Sequence, residues 1–405
     1  MFNFVRKVTL FQLMNLRKFK ADRIFTGKEF LSGSWVLTCT PEGEIVELTE
    51  EGFDTENIER LKGTLCPGFI NAHCHLELSH MKGVIPKHTG LIPFLMDVVD
   101  KRDFPAEHIQ EKMNEAVDEM YRDGIVAVGD IGNTANSIAT KANGQLVWNN
   151  FVEILGFKED QFDRIRQEYG HVLAQFRETE NNLPEGKFKS SLVPHAPYTV
   201  GTKIFEWINR ETRNLTISCH NQETPAEDEL YGTGKGEFLK LLQKFGSKES
   251  PFPITGKSSL QSWLPHFNEQ QKIILVHNTF TSAEDVDFAI DHAAQSLSGI
   301  YFCLCVNANL YIEDQMPPIE MLIDKKAELV LGTDSYSSND QLSIAAEIRS
   351  IRKRLPNVPL EMILRWATYN GAKALDRLDS LGSFEKGKKP GVLLLDENLT
   401  ARRII

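Results

Sequence analysis

Apolar runs of strand length recur along this chain and alternate with stretches of helical periodicity. Eight of them, at 65–73, 125–130, 150–155, 189–194, 215–219, 272–276, 300–304 and 328–333, read as buried β-strands. The segments between space their apolar residues three and four apart. Ile109–Tyr121, for example, sets Met113, Ala116, Val117 and Met120 on one helix face. Strands that alternate with helices pair in parallel, and eight such units close an α/β (β/α)8 barrel. Glu361–Leu375 reads as an amphipathic helix after barrel closure.

Both ends depart from this alternation. Short β-rich pieces (Arg23–Thr26, Ser34–Thr38) alternate with turns at Gly27, Gly33 and Gly43. At the far end, Val392–Asp396 follows the turn residues Gly387–Gly391. Neither end is long enough to bury a core alone. Residues 1–64 and 376–405 are therefore expected to form one composite β-sandwich beside a barrel at 65–375.

The polar residues that end the runs share one chemistry. Cys66–Ala72 leads to His73 and His75, Ser191–Pro194 to His195, and Leu215–Cys219 to His220. Ile273–Val276 ends at His277, and Leu329–Thr333 at Asp334. Five of the 11 histidines thus sit where a buried strand stops, whereas His108, His171, His266 and His292 fall in helices or loops. Side chains two apart on a strand share a face, so His73 and His75 project together and Cys74 packs behind them. A (β/α)8 barrel gathers its catalytic groups at the C-terminal ends of its strands, where these residues fall.

Composition narrows the classes. With 41% hydrophobic and 25% charged residues, the 405-residue chain is an ordinary globular protein. A net charge of -11 without a basic stripe argues against nucleic acid, and no apolar run reaches membrane-span length. The 6 cysteines form no Cys-x-x-Cys pair and lie in apolar runs, as expected of buried thiols in a reducing, cytoplasmic setting. Residues 1–20 carry five basic residues around a broken apolar patch and lack a cleavage site. They read either as an added strand or as sequence ahead of a start at Met14. The long connections after His75 and His220 are expected to fold over the pocket.

Imidazoles with one carboxylate suit a divalent ion: zinc most often, with iron or manganese also compatible. His73, His75, His220 and Asp334 make the most economical ligand set, and His277 either completes it or stands behind the bound water. Glu223, three residues past His220, reads either as a proton carrier of raised pKa or as a helix N-terminal acid before Pro225.

Taken together, Pro67–His75, His195-Ala-Pro-Tyr-Thr199, His220-x-x-Glu223, Val276-His277 and Gly332-Thr-Asp334-Ser335 resemble, in this order, the amidohydrolase superfamily in its metal-dependent deaminase and chlorohydrolase branch. His75-Leu-Glu-Leu-Ser79 is most similar to the aminofutalosine deaminase-like subgroup. The resemblance implies one metal on His73, His75, His220 and Asp334, since His195 stands where binuclear relatives carry a bridging lysine. It further implies that Glu223 protonates a ring nitrogen and Asp334 handles the proton of the attacking water, while His277 polarises that water. His195 would contact substrate, with Glu77, Ser338 and Asn339 as further candidates; Glu77 reads equally as a salt bridge at the barrel mouth. Glu153 reads as a buried structural carboxylate with no site role. The implied activity is hydrolytic deamination of an aminated purine nucleoside-like small molecule. The alternative is cyclic amide hydrolysis or dechlorination at the same site. A homodimer would suit the family.

Overall fold

The computed structural model describes residues 16–52, 57–247 and 249–405. The readings of an added strand or a start at Met14 concern residues outside this set. From Arg17 the chain is strand.

Eight parallel strands form the barrel: β5 (Phe69–Cys74), β6 (Ile125–Gly132), β7 (Val147–Ile154), β8 (Phe188–Pro194), β9 (Thr216–Asn221), β10 (Lys272–His277), β11 (Gly299–Leu304) and β12 (Leu329–Leu331). They hydrogen-bond as two four-stranded sheets, β5-β6-β7-β8 and β9-β10-β11-β12. Two thin seams join these into a ring. At the β8/β9 seam the His220 N–H donates to the His195 carbonyl at 3.0 Å, and Ser191 Oγ donates to the Thr216 carbonyl at 2.8 Å. At the β12/β5 seam Thr333 and Asp334 donate to the His73 carbonyl at 3.0 and 3.1 Å. Asn71 and Thr333 exchange a further pair of bonds there, at 2.8 and 3.1 Å.

Helices cover the outside as the periodicity predicts. The helix Ala106–Arg122 buries Met113, Ala116, Val117 and Met120. Residues 360–374 are helical with a π-helical turn at Trp366–Asn370, which lets the Asn370 amide reach the Leu329 carbonyl at 2.9 Å. No helix among the described residues is long and apolar enough to cross a membrane.

The ends of the chain meet in one six-stranded sheet. Its order is β14 (Ala401–Arg403), β13 (Val392–Leu395), β4 (Ile58–Pro67), β1 (Arg17–Ile24), β2 (Trp35–Cys39), β3 (Ile45–Glu50). β1 and β4 run parallel and the remaining pairs antiparallel. Phe19, Leu37, Ile45, Leu65, Phe384 and Val392 fill its core. The single strand expected at 65–73 is two: Leu65–Pro67 belongs to this terminal sheet, and the barrel begins at Phe69. Gly68 is the joint. A Cβ there would lie 2.2 Å from Val126 Cγ1 and 2.6 Å from the Pro390 carbonyl oxygen, so only glycine lets the chain cross between sheets.

The two long connections fold over the C-terminal ends of the barrel strands. The helix Leu91–Lys101 from the first packs with Ala226–Thr233 and Phe238–Lys244 from the second in one apolar cluster that includes Leu91, Phe94, Leu230, Tyr231 and Leu241.

Candidate active site

Backbone geometry at the strand ends turns the polar residues inward. His277 and Asp334 hold φ of 75° and 57°, and Gln222, just before Glu223, holds 44°. Non-glycine residues rarely adopt this left-handed conformation, and the strain it carries clusters at functional sites. The strand ahead of Asp334 also comes unusually close to His73. A Cβ on Gly332 would sit 2.9 Å from His73 Cβ and 2.8 Å from Cys303 Sγ. From β6, Asp130 accepts the Leu76 N–H at 2.7 Å and pairs with the buried Lys141 at 2.6 Å, fixing the turn after His75.

The imidazoles converge. His75 Nε2 lies 3.2 Å from both His73 Nε2 and His220 Nε2. Asp334 Oδ1 lies 3.4 Å from His75 Nε2 and 3.5 Å from His73 Nε2. Ligand atoms of His73, His220, His277 and Asp334 all fall within 4.8 Å of one another. Hydrogen bonds behind the rings set their tautomers. His220 Nδ1 donates to the His195 carbonyl at 2.7 Å, and His277 Nδ1 to Asn309 Oδ1 at 2.8 Å. Both therefore turn an Nε2 lone pair to the centre. Burial lowers the pKa of His73 and His220 and takes His75 down to about 3, a shift that favours the neutral ring a metal ligand needs. Nitrogen and carboxylate atoms 3.2–3.5 Å apart have the spacing of ligands around one ion bound at about 2.0–2.2 Å. Three or four imidazoles with one carboxylate fit a borderline divalent ion.

Two carboxyls at this centre are driven apart. Burial pushes Asp334 up, but the hydrogen bond from His73 and the nearby His75 and His277 rings outweigh it and hold the carboxylate well below its ordinary range. The buried Glu223 goes the other way: desolvation first, then the Asp334 and Glu313 charges, raise it well above the ordinary value. Glu223 Oε1 lies 3.5 Å from His277 Nε2. The helix Ala226–Thr233 starts beyond Glu223, whose carboxyl faces the cavity instead of capping it. The loop is held from below, where Glu227 accepts the N–H groups of Glu223 and Gln222 at 2.7 and 3.0 Å.

The remaining expected residues divide. His195 lines the cavity; its Nδ1 donates to Thr199 Oγ1 at 2.8 Å, leaving Nε2 as an acceptor. Glu77 also lines it, but makes no salt bridge among the described residues. It accepts from the Asn133 N–H at 3.1 Å and the Thr134 hydroxyl at 2.6 Å, closing the loop after β6. Ser338 and Asn339, expected at the substrate, are not part of the cavity wall. The Ser338 hydroxyl bonds Asp334 Oδ2 from behind, and the Asn339 amide donates to the Thr333 carbonyl at 2.8 Å and to Glu347 at 3.2 Å. Their place one turn past Asp334 makes them braces of that loop.

Three residues of the site go beyond the sequence reading. Asn309 orients His277 from the helix Val306–Ile312 that follows β11. Arg102 lines the cavity. Glu153, read as merely structural, also lines it, with Oε1 3.8 Å from His220 Nδ1 and without a hydrogen-bond partner. Burial pushes its carboxyl up to about 8. Its position at the end of β7, matching His195 and His220 on the next two strands, was the available signal.

A profile of the amidohydrolase family matches residues 64–402. A 5-methylthioadenosine/S-adenosylhomocysteine deaminase of Teredinibacter turnerae is 27% identical over 351 residues, covering 82% of this chain and 72% of the relative. The crystal structure of Helicobacter pylori aminofutalosine deaminase in complex with methylthio-coformycin superposes with a TM-score of 0.78 at 23% identity, covering 94% of this chain and 92% of the other. An adenosine deaminase from Xanthomonas campestris with bound zinc gives 0.70 at 20% identity, covering 94% and 84%. Matched from the last residues of β4 to the C-terminal sheet, the chain belongs to the amidohydrolase family and is a hydrolase of carbon–nitrogen bonds other than peptide bonds.

Proposed function

We propose that this chain hydrolytically deaminates an aminated purine nucleoside-like substrate at a single divalent ion, zinc by preference, held by His73, His75, His220 and Asp334. The observation that carries this is geometric: ligand atoms of His73, His220, His277 and Asp334 lie within 4.8 Å of one another, and the buried Glu223 carboxyl stands 3.5 Å from His277 Nε2 beside them. The deaminase names of the relatives and the zinc of the xanthomonad structure agree with it. A bound divalent ion lowers the pKa of water from about 15.7 towards about 7, which supplies a nucleophile at neutral pH.

The chain's own groups complete the reaction. Glu223 donates its proton to the ring nitrogen beside the amine-bearing carbon, making that carbon electrophilic. Asp334 accepts a proton from the incoming water as its oxygen bonds to that carbon. His277, steered by Asn309, directs the water. When the carbon–nitrogen bond breaks, the proton on Asp334 passes to the departing nitrogen and ammonia leaves, while the proton of the new hydroxyl returns to Glu223 and a ring carbonyl remains. His195 Nε2 accepts from the bound base, and Glu77 holds the loop beside it.

The test is ammonia release from adenosine, methylthioadenosine, S-adenosylhomocysteine, aminodeoxyfutalosine and guanine by protein of measured metal content. At least one should react. Glu223→Gln should keep its metal and lose activity by about 10²–10⁴-fold. An undiminished variant removes Glu223 from the chemistry, and silence across the panel removes the reading.

A further inference from the structure

We propose that a groove beside the barrel mouth, separate from the catalytic cavity, binds a sugar-sized phosphate monoester through Arg349, Lys353 and Arg354. This site goes beyond the deaminase reading and does not depend on it.

The groove encloses about 460 Å³, within the ~300–1,000 Å³ of small-molecule sites, and shares no lining residue with the catalytic cavity. Asn307, on the helix Val306–Ile312 after β11, and Asn339, in the loop after β12, both line it. These are the seventh and eighth strands of the barrel, and (β/α)8 barrels often hold phosphate at the loops that follow those two. The helix Ile344–Arg354 supplies the cations. Its Ala346, Arg349, Ser350 and Lys353 stand three, four and seven residues apart and so share the face that lines the groove.

These cations lack protein partners. Elsewhere in the lining, Lys87 pairs with Asp340 at 2.7 Å and His88 stands 3.9 Å from Asp314, which uses both carboxylates of the groove. Among the described residues Arg349 donates only to the Leu399 carbonyl, at 3.2 Å, and no carboxylate lies within ion-pair distance of Arg349, Lys353 or Arg354. In a chain of net charge -11 such a surplus is out of place. A helix C-terminus favours cations, but Arg352 already serves that end, donating to the Pro356 and Val358 carbonyls at 2.9 and 2.7 Å. Arg349 lies more than a turn earlier, beyond the reach of the dipole. Three cations suit more than one negative charge, which a phosphate carries, and guanidinium forks match its oxygens. Ser350, Gln341 and the two asparagines offer hydrogen bonds to the hydroxyls of a sugar, in volume that bare phosphate would leave to water.

The test is calorimetric titration of the metal-loaded full chain with ribose 5-phosphate, inorganic phosphate and ribose at about 0.15 M ionic strength. Ribose 5-phosphate should bind more tightly than inorganic phosphate, and ribose should give no heat. Lys353→Gln with Arg354→Gln, two exposed positions outside the catalytic cavity, should weaken ribose 5-phosphate by about 10- to 100-fold and leave ammonia release intact. Arg349→Gln should weaken it in the same direction. No heat from ribose 5-phosphate, an affinity that survives the paired substitution, or equal affinity for inorganic phosphate would each overturn the proposal. Binding of the phosphate at the catalytic ion would show itself as the second of these outcomes.

Discussion

Glu347, on the helix Ile344–Arg354, shows how a single buried side chain ties distant parts of the site together. It accepts the Asn307 N–H at 3.0 Å, two residues before the Asn309 that orients His277, and the Asn339 amide behind Asp334 at 3.2 Å. Burial pushes its carboxyl up to about 8. A folded-state pKa above the unfolded value means that the native chain holds this proton more tightly. The associated stability is present below about pH 4.3, the ordinary glutamate value, and is lost as pH rises towards 8. Glu347→Gln keeps an acceptor without the titration. Its Tm should gain on wild type between about pH 5 and pH 8, by stability on the order of a few kcal/mol; parallel melting curves would refute this. The strand-end histidines were legible because residue type and position coincide. Asn309, Arg102 and the cavity face of Glu153 were not, because each depends on which other element lies opposite.

At the scale of elements, the alternation of strand and helix was legible throughout, since a buried parallel strand leaves a near-continuous apolar run. The join at Gly68 was hidden for the same reason. Leu65 to Ile70 is apolar on both sides of it, and only the closeness of Val126 and Pro390 shows that one run serves two sheets. Gly68→Ala should therefore destabilise the fold by about 1–3 kcal/mol through overpacking, seen as a lower Tm. An unchanged Tm would mean that Val126 yields without cost. The same step sets where β5 starts, and with it the height of His73 in the barrel. That two long connections occur was also legible. That they pack on each other was not, because Phe94 and Leu241 are far apart in sequence and local periodicity carries no partner.

Over the whole molecule, the site straddles both seams of the barrel: His73 and Asp334 face each other across one, and His195 and His220 across the other. An ion held among these residues bridges the two four-stranded sheets where backbone pairing is thinnest. Removing it with a chelator should lower Tm, by about 2.7 kcal/mol of stability for an ion present at 100 times its Kd, while the far-ultraviolet circular dichroism is retained. An equal Tm with and without the ion would place it outside the folded framework. The composite terminal sheet has a consequence for biosynthesis. β4 (Ile58–Pro67) is synthesised well ahead of its neighbour β13 (Val392–Leu395). At about 5–20 residues per second, the open edge of β4 waits tens of seconds for its cover. Throughout that interval the nascent chain presents an unpaired strand just ahead of its first catalytic histidines, which makes this edge a natural point for chaperone engagement or mispairing.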